Sequence, residues 1–284
     1  MKAVLILLAL RTAVASTPRM ARWDDELTDP TRLVEPVHTD GKIAALNSEN
    51  PYWTAGKNAR FEGLTLRDAK ALMGVLNATA DTLASIETDG VKTYDARSSV
   101  TLPTDFDWRT DPRAKGCPSL EEIRDQSNCG SCWAFGSVEA MTDRTCIQSN
   151  GTKQAHLAAE DVTSCCRLCG MGCDGGIPVA AYSYFKRTGV VTGGQFGDKS
   201  MCYSYRLAPC AHHVASKTYP NCTGMKPTPK CALTGSNSAA CPDKTSIVWH
   251  QDKRMGATTC VEFPIPNFSM SCLRLSNSHF QPSF

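Results

Sequence analysis

Apolar residues recur at helical spacing along parts of this chain, and that spacing predicts where helices form. Around residues 65–76, Thr65-Leu66-Arg67-Asp68 has the form of a capping box. Leu66, Ala69, Leu72, Met73 and Leu76 then fall three or four residues apart, which predicts an amphipathic helix running to Leu76. The stretch from Ser131 to Arg144 is apolar nearly all round and reads as a helix buried in a core. Residues 158–165 predict a second short helix. A third spans Pro178–Arg187, with proline in its first turn, Lys186 and Arg187 in its last, and Gly189 as its stop. From Gly193 to Cys241 periodicity gives way to Gly, Pro, Ser, Thr and Cys, the composition of long loops held by disulfides. The tail from Val261 to Cys272 reads as neither helix nor strand.

At the start of the chain, Lys2 precedes the apolar run Ala3–Leu10, and Ala13-Val14-Ala15 follows as a small-residue cleavage site. This is the form of a secretory signal, expected to be cut near Ala15, with Arg11 an unusual residue between the two parts. No apolar run approaches the roughly 18 residues needed to span a membrane. The 30 basic and 28 acidic residues leave a net charge of +2, with no electrostatic footprint for nucleic acid or an anionic membrane. Of 284 residues, 42% are hydrophobic and 20% charged, as in a globular protein of one or two domains.

Cysteine usage divides the chain. None of the 15 cysteines lies before Cys117, so a cysteine-free leader precedes a cysteine-rich body. This predicts a removable pro-segment over residues 16–101, with an exposed linker at 89–99 where cleavage is easy. Such density in an oxidising compartment indicates a disulfide framework, and the odd count leaves at least one thiol unpaired. Four sequons, at Asn77, Asn150, Asn221 and Asn267, are candidate glycosylation sites.

The densest chemistry lies at Gln126-Ser127-Asn128-Cys129-Gly130-Ser131-Cys132-Trp133. Cys132 opens the predicted buried helix, where the positive end of the macrodipole favours a thiolate. Gln126 can offer a side-chain N–H to the oxyanion formed when a thiolate attacks a carbonyl. Cys129 and Cys132 also form a C-x-x-C, which elsewhere is a redox pair or half of a zinc site. Cys166-Arg167-Leu168-Cys169 could supply the other half, so a zinc reading stays open at this stage. The pattern C-G-S-C-W is nevertheless a papain-type signature.

With these residues in view, the chain resembles the cathepsin B group of the papain family of cysteine peptidases from about Asn47 to about Gly256. Asn50-Pro51-Tyr52-Trp53-Thr54-Ala55-Gly56 is similar to the family's short propeptide. Ile123-Arg124-Asp125-Gln126 leads into the cysteine motif in the family's manner. Cys165-Cys166 followed by Cys173-Asp174-Gly175-Gly176 resembles its double-cysteine and glycine segment. Cys210-Ala211-His212-His213 and Gln251-Asp252-Lys253 resemble the occluding loop region.

The resemblance implies an α+β, papain-like fold of two lobes, with the helical lobe present and the β-barrel-like lobe largely missing. It implies a peptidase domain over residues 102–256, an occluding loop at 202–241 and a divergent tail at 257–284. It implies Cys132 as nucleophile, Gln126 as oxyanion donor and Trp133 as a structural neighbour. Gly175 and Gly176 would bind the substrate backbone, and Ile177 and Pro178 would wall a side-chain pocket. His212 and His213 would hold a substrate's C-terminal carboxylate, and Asp125 would anchor the loop through His212. The family's second loop anchor is an arginine, where this chain has Lys217 and Tyr219 nearby. Six disulfides follow from the same resemblance: Cys117–Cys146, Cys129–Cys173, Cys165–Cys231, Cys166–Cys169, Cys202–Cys241 and Cys210–Cys222. Cys260 and Cys272 are left over.

The implied activity is endopeptidase and peptidyl-dipeptidase action on proteins and peptides by thiol acyl transfer. No cofactor or metal is expected, nor a nucleic-acid or membrane partner. The implied state is a monomer of the secretory or lysosomal route, inhibited by its own propeptide. The resemblance stops near residue 257. The family draws its catalytic histidine and asparagine from Gly-His-Ala and Asn-Ser-Trp segments, and neither tripeptide occurs here. His279 stands in the generic downstream window but lacks a strand pattern around it. The alternative reading is therefore a truncated, inactive relative that at most binds peptides or partners.

Overall fold

A computed structural model describes residues 29–70, 72–76, 78, 103–212 and 215–256. The expected signal at 1–15, the linker at 89–99, His213 and the tail from 257 lie outside the described residues. The chain divides into two compact units, residues 1–70 and 71–284.

In the first unit, α1 spans Asp40–Glu49, with Thr39 as N-cap accepting the Lys42 N–H. Helix α2 spans Leu66–Lys70. Its capping box forms as expected: the Asp68 carboxylate accepts the Thr65 N–H and hydroxyl at 2.8 and 2.7 Å. Pro36 and Thr65 pair across an antiparallel bridge, which ties α2 to the turn before α1. Arg32 and Lys42 both reach the Glu35 carboxylate and hold it down to about 2.

The predicted helix to Leu76 is corrected by the structure, because α2 ends at Lys70. In the second unit residues 72–76 are non-helical, and Val75 forms a parallel bridge with Gly176. Backbone pairing with a distant glycine has overridden the local period, and Gly74 in the middle of the stretch weakens any helix there.

The second unit is built around α3, Cys132–Gln148. It buries Trp133, Ala134, Phe135, Val138 and Met141 against α4 (Ala159–Cys165) and α5 (Pro178–Arg187). Thr145 and Cys146 are buried too, which carries α3 one turn beyond the predicted Arg144. It stops where Asn150 and Gly151 both take left-handed φ, at +50° and +78°. Helix α5 has the predicted bounds, and Gly189, at φ +77°, donates its N–H to the Tyr184 carbonyl. A short helix, α6, spans Trp249–Asp252. A second cluster packs Ala158, Val191, Cys202, Tyr203 and Cys241 beneath Leu233, Ile247 and Trp249.

The described residues contain isolated bridges and no longer strand. None of their helices is long and apolar enough to cross a membrane. Cross-linking supplies what sheet pairing does not. All six expected disulfides are present. Two buried carboxylates add polar ties. Asp161 accepts the Tyr184 hydroxyl and the Val191 N–H, and Asp252 accepts both the N–H and hydroxyl of Thr192. Burial pushes the Asp161 carboxyl upward.

Candidate active site

Cys132 is the first residue of α3 and the free cysteine among the described residues. Cys129 is bound to Cys173, and Cys166 to Cys169. Both alternatives left open by the C-x-x-C spacing therefore fall. Cys132 has no redox partner in that motif, and neither pair is available to zinc.

The helix start is positioned by residues that the local pattern did not reveal. Ser131, the N-cap, shares its hydroxyl with the Tyr205 hydroxyl at 3.0 Å. Tyr205 in turn donates to the Gln126 carbonyl at 2.9 Å. It is 3% exposed and packs edge-on against Phe135, so one side chain fixes the backbone of Gln126 and the cap of α3 together. Burial pushes its phenol upward, which keeps it a hydrogen-bond donor. Nothing in the sequence around residue 205 signals this, because the partners lie 74 and 79 positions away.

Behind Cys132, the Trp133 indole donates to the Gly172 carbonyl at 3.0 Å. Its ring lies where a side chain on Gly176 would stand, so only glycine fits there. The Cys129–Cys173 disulfide and the 2.9 Å bond from Gly130 N–H to Cys173 carbonyl join the cysteine loop to the glycine segment. Gly175 has φ +108°. Ile177 donates to the Cys169 carbonyl at 2.7 Å and, half-buried, precedes the equally half-buried Pro178 that opens α5.

Residues 72–76 lie across this constellation. The Gly74 N–H donates to Cys132 Sγ at 3.0 Å. Gln126 Nε2 donates to the Leu72 carbonyl at 3.4 Å as well as to Cys129 at 2.7 Å. Gly176 donates to the Gly74 carbonyl at 2.7 Å and accepts from Leu76 N–H at 2.9 Å. Cys132, Gln126 and Gly176 are thus brought together around one extended segment of backbone. Met73 and Leu76 project substantial exposed area instead of forming the apolar helix face expected for them, and Val75 is exposed as well.

Asp125 accepts the Ser127 N–H at 2.6 Å, while its own N–H reaches Gln195 at 3.3 Å. Ser127, at φ +57°, donates to the Ala208 carbonyl. His212 lies beside the Cys210–Cys222 disulfide, its Nε2 4.0 Å from Cys210 Sγ. His156 is held at both ring nitrogens, by the Gly193 carbonyl and by Glu122.

Fold and site define a thiol-bearing member of a peptidase fold, and a sequence model of the papain family cysteine protease matches residues 102–257. That is more than half of the chain, and the chain belongs to this family. Within it the relatives are cathepsin B-like. A cathepsin B-like cysteine proteinase of Schistosoma japonicum is 41% identical over 233 residues, covering 81% of this chain and 63% of that protein. Cathepsin B-like cysteine proteinase 6 of Caenorhabditis elegans is 38% identical over 224 residues, covering 77% and 56%. The chain thus spans under two thirds of the length of these relatives. Among solved structures, procathepsin B S9 from Trypanosoma congolense superposes with a TM-score of 0.55 at 27% identity, covering 79% of this chain and 65% of that one.

Proposed function

We propose that this chain is a latent cysteine peptidase of cathepsin B type that cleaves peptide bonds by acyl transfer to Cys132. One observation carries the reading. Residues 72–76 present a peptide backbone to Cys132 Sγ, to the Gln126 amide and to Gly176 at once. A peptide substrate needs those same three contacts: a nucleophile, an oxyanion donor and a backbone partner.

In this reading residues 16–101 form the pro-segment and 102–256 carry the nucleophile side of the peptidase domain. The β-barrel-like lobe of the family lies largely outside residues 102–256. Cys132 Sγ attacks the scissile carbonyl, its proton passes to an imidazole, and the Gln126 amide stabilises the oxyanion. Gly175 and Gly176 hold the substrate backbone, and Ile177 and Pro178 wall the adjoining pocket. His212 and His213 bind a free C-terminal carboxylate and direct dipeptide release, with Asp125 anchoring the loop. The protein works as a monomer in the secretory or lysosomal route, and the disulfides fit an oxidising path to it.

Limited proteolysis in the 89–99 linker, followed by assay on dibasic fluorogenic peptides, tests this. Turnover should rise on cleavage and vanish in Cys132→Ala. Loss in His279→Ala as well would assign that imidazole as the base, and persistence would assign another. Iodoacetamide labelling of Cys132 without any turnover would overturn the peptidase reading while leaving the fold intact.

A further inference from the structure

Loop 202–241 holds a second cluster of chemically capable side chains. The sulfurs of Cys210 and Cys222 and a ring nitrogen of His212 all lie within 4.8 Å of one another. The two sulfurs are joined in a disulfide, and the backbone also holds them side by side. Ala211 N–H donates to the Pro220 carbonyl at 2.8 Å, Cys222 N–H donates to Ala211 at 3.1 Å, and Ala211 and Asn221 form a parallel bridge. Opening the disulfide therefore leaves the cysteines adjacent.

We propose that reduction of Cys210–Cys222 turns this loop into a three-ligand site, Cys210, Cys222 and His212, for Zn²⁺ or a similar borderline-soft divalent cation. In the first step the S–S bond breaks. Two equivalents of a small thiol supply two electrons and two protons and leave as their own disulfide. In the second, the cation displaces both thiol protons and forms two metal–sulfur bonds and one metal–nitrogen bond. The fourth position stays open to water or a carboxylate.

The geometry needs little rearrangement. Tetrahedral zinc with Zn–S about 2.3 Å and Zn–N about 2.05 Å sets the sulfurs about 3.8 Å apart and each sulfur about 3.6 Å from the nitrogen. From a bonded 2.04 Å the sulfurs must separate by about 1.7 Å, which side-chain rotation provides at a Cα–Cα distance of 4.9 Å. His212 Nε2, at 4.0 Å from Cys210 Sγ, needs to approach by only about 0.4 Å. Two thiolates and an imidazole suit zinc better than magnesium or calcium.

Access separates this cluster from the other one, Cys202, Cys241 and Asp252. All three of those residues are buried, and an Asp252 oxygen is taken by Thr192. Cys222 and His212 are only half-buried, which gives a reductant and a cation a path in. Bound metal would also engage His212. A loss of carboxylate binding through that engagement rests on the proposed peptidase reading; the metal site does not.

The test uses the full chain carrying Cys132→Ser, so that the nucleophile contributes no ligand. Brief treatment with a phosphine reductant is followed by differential alkylation and mass mapping, then by titration with Co²⁺ as the optical probe. One equivalent should bind the reduced protein, with sulfur-to-cobalt charge-transfer bands, tetrahedral visible bands and release of two protons. Zn²⁺ should displace it. His212→Ala, which keeps the disulfide in the oxidised chain, should weaken binding by at least about tenfold. Cys210→Ser with Cys222→Ser should abolish the bands. Should that double variant misfold, His212→Ala carries the comparison.

Four results overturn the proposal: equal bands in unreduced protein, no bands when both cysteines map as thiols, bands insensitive to His212→Ala, or a disulfide that opens only after circular dichroism shows unfolding. Peptidase activity plays no part in this readout.

Discussion

A methyl group on Gly74 would lie against the Gly130 carbonyl oxygen, far inside contact distance, and that obstacle is backbone instead of a side chain that can swing away. Gly74→Ala therefore expels residues 72–76 from Cys132. Four hydrogen bonds depend on this stretch: Gly74 N–H to Cys132 Sγ, Gly176 N–H to Gly74, Leu76 N–H to Gly176, and Gln126 to Leu72. At about 0.5–1.5 kcal/mol each, and leaving out the long Gln126 contact, the other three total about 1.5–4.5 kcal/mol. Alanine also favours the competing helix by about 1 kcal/mol over glycine. A change of about 1.5–4.5 kcal/mol corresponds to about 10- to 2000-fold in the population of open cleft. The rate of Cys132 alkylation by iodoacetamide, followed by mass spectrometry on the uncleaved chain, reads that population. Alkylation at the parent rate in Gly74→Ala, with all six disulfides mapped intact, would refute the argument.

Three further outcomes follow from the buried polar groups. Tyr205→Phe removes the hydroxyl bridging Gln126 and Ser131 and should cost about 1–2 kcal/mol, read as a lower urea midpoint at constant slope. Asp252→Ala strands the Thr192 N–H and hydroxyl and should cost about 2–4 kcal/mol in the same assay; a loss under 1 kcal/mol would show that water replaces the carboxylate. Glu160 is fully buried, and burial lifts its carboxyl to about 7 against the bond from Arg206 N–H. The folded state then holds a proton that the unfolded chain has released. This contribution is complete below the ordinary glutamate value of 4.5 and is lost as pH rises through about 7, on the order of 3 kcal/mol. Stability should fall from pH 4.5 to 7, and Glu160→Gln should flatten that fall; an unchanged slope would place the titration elsewhere, with Asp161 the next candidate.

Much of this architecture was legible where local and global preferences agree. The bounds of α5 follow from Pro178 and Gly189, which act on their own neighbours. The start of α3 follows from a surface that is apolar nearly all round, and its extra turn from the burial of Thr145 and Cys146. All six disulfides expected from the resemblance occur. The helix read across Leu72 to Leu76 failed because the apolar period there coincides with a stretch whose backbone pairs with Gly176, a hundred residues on. The bonds made by Tyr205, Asp161 and Asp252 were not legible, since they join segments with no shared pattern, although Asp252 itself stood in the Gln251-Asp252-Lys253 motif. The histidine and asparagine that the resemblance calls for found no matching segment in the sequence, and His279 lies outside the described residues.

The cross-link between Cys129 and Cys173 also bears on which parts of the molecule breathe. Gly130 N–H is bonded to the Cys173 carbonyl beside that disulfide, and Met171 and Ile177 donate across the same segment to Gly175 and Cys169, each at 2.7 Å. These amides should open to solvent only when α3 itself comes apart. In hydrogen exchange they should rank with the slowest of the chain, alongside those of Val138 and Met141. Enzymes commonly place their working groups in segments of low local stability. Under the proposed peptidase reading, the walls around Cys132 would be the slowest part of the chain to open, and the movement catalysis needs would fall to residues 72–76 and to the loop carrying His212.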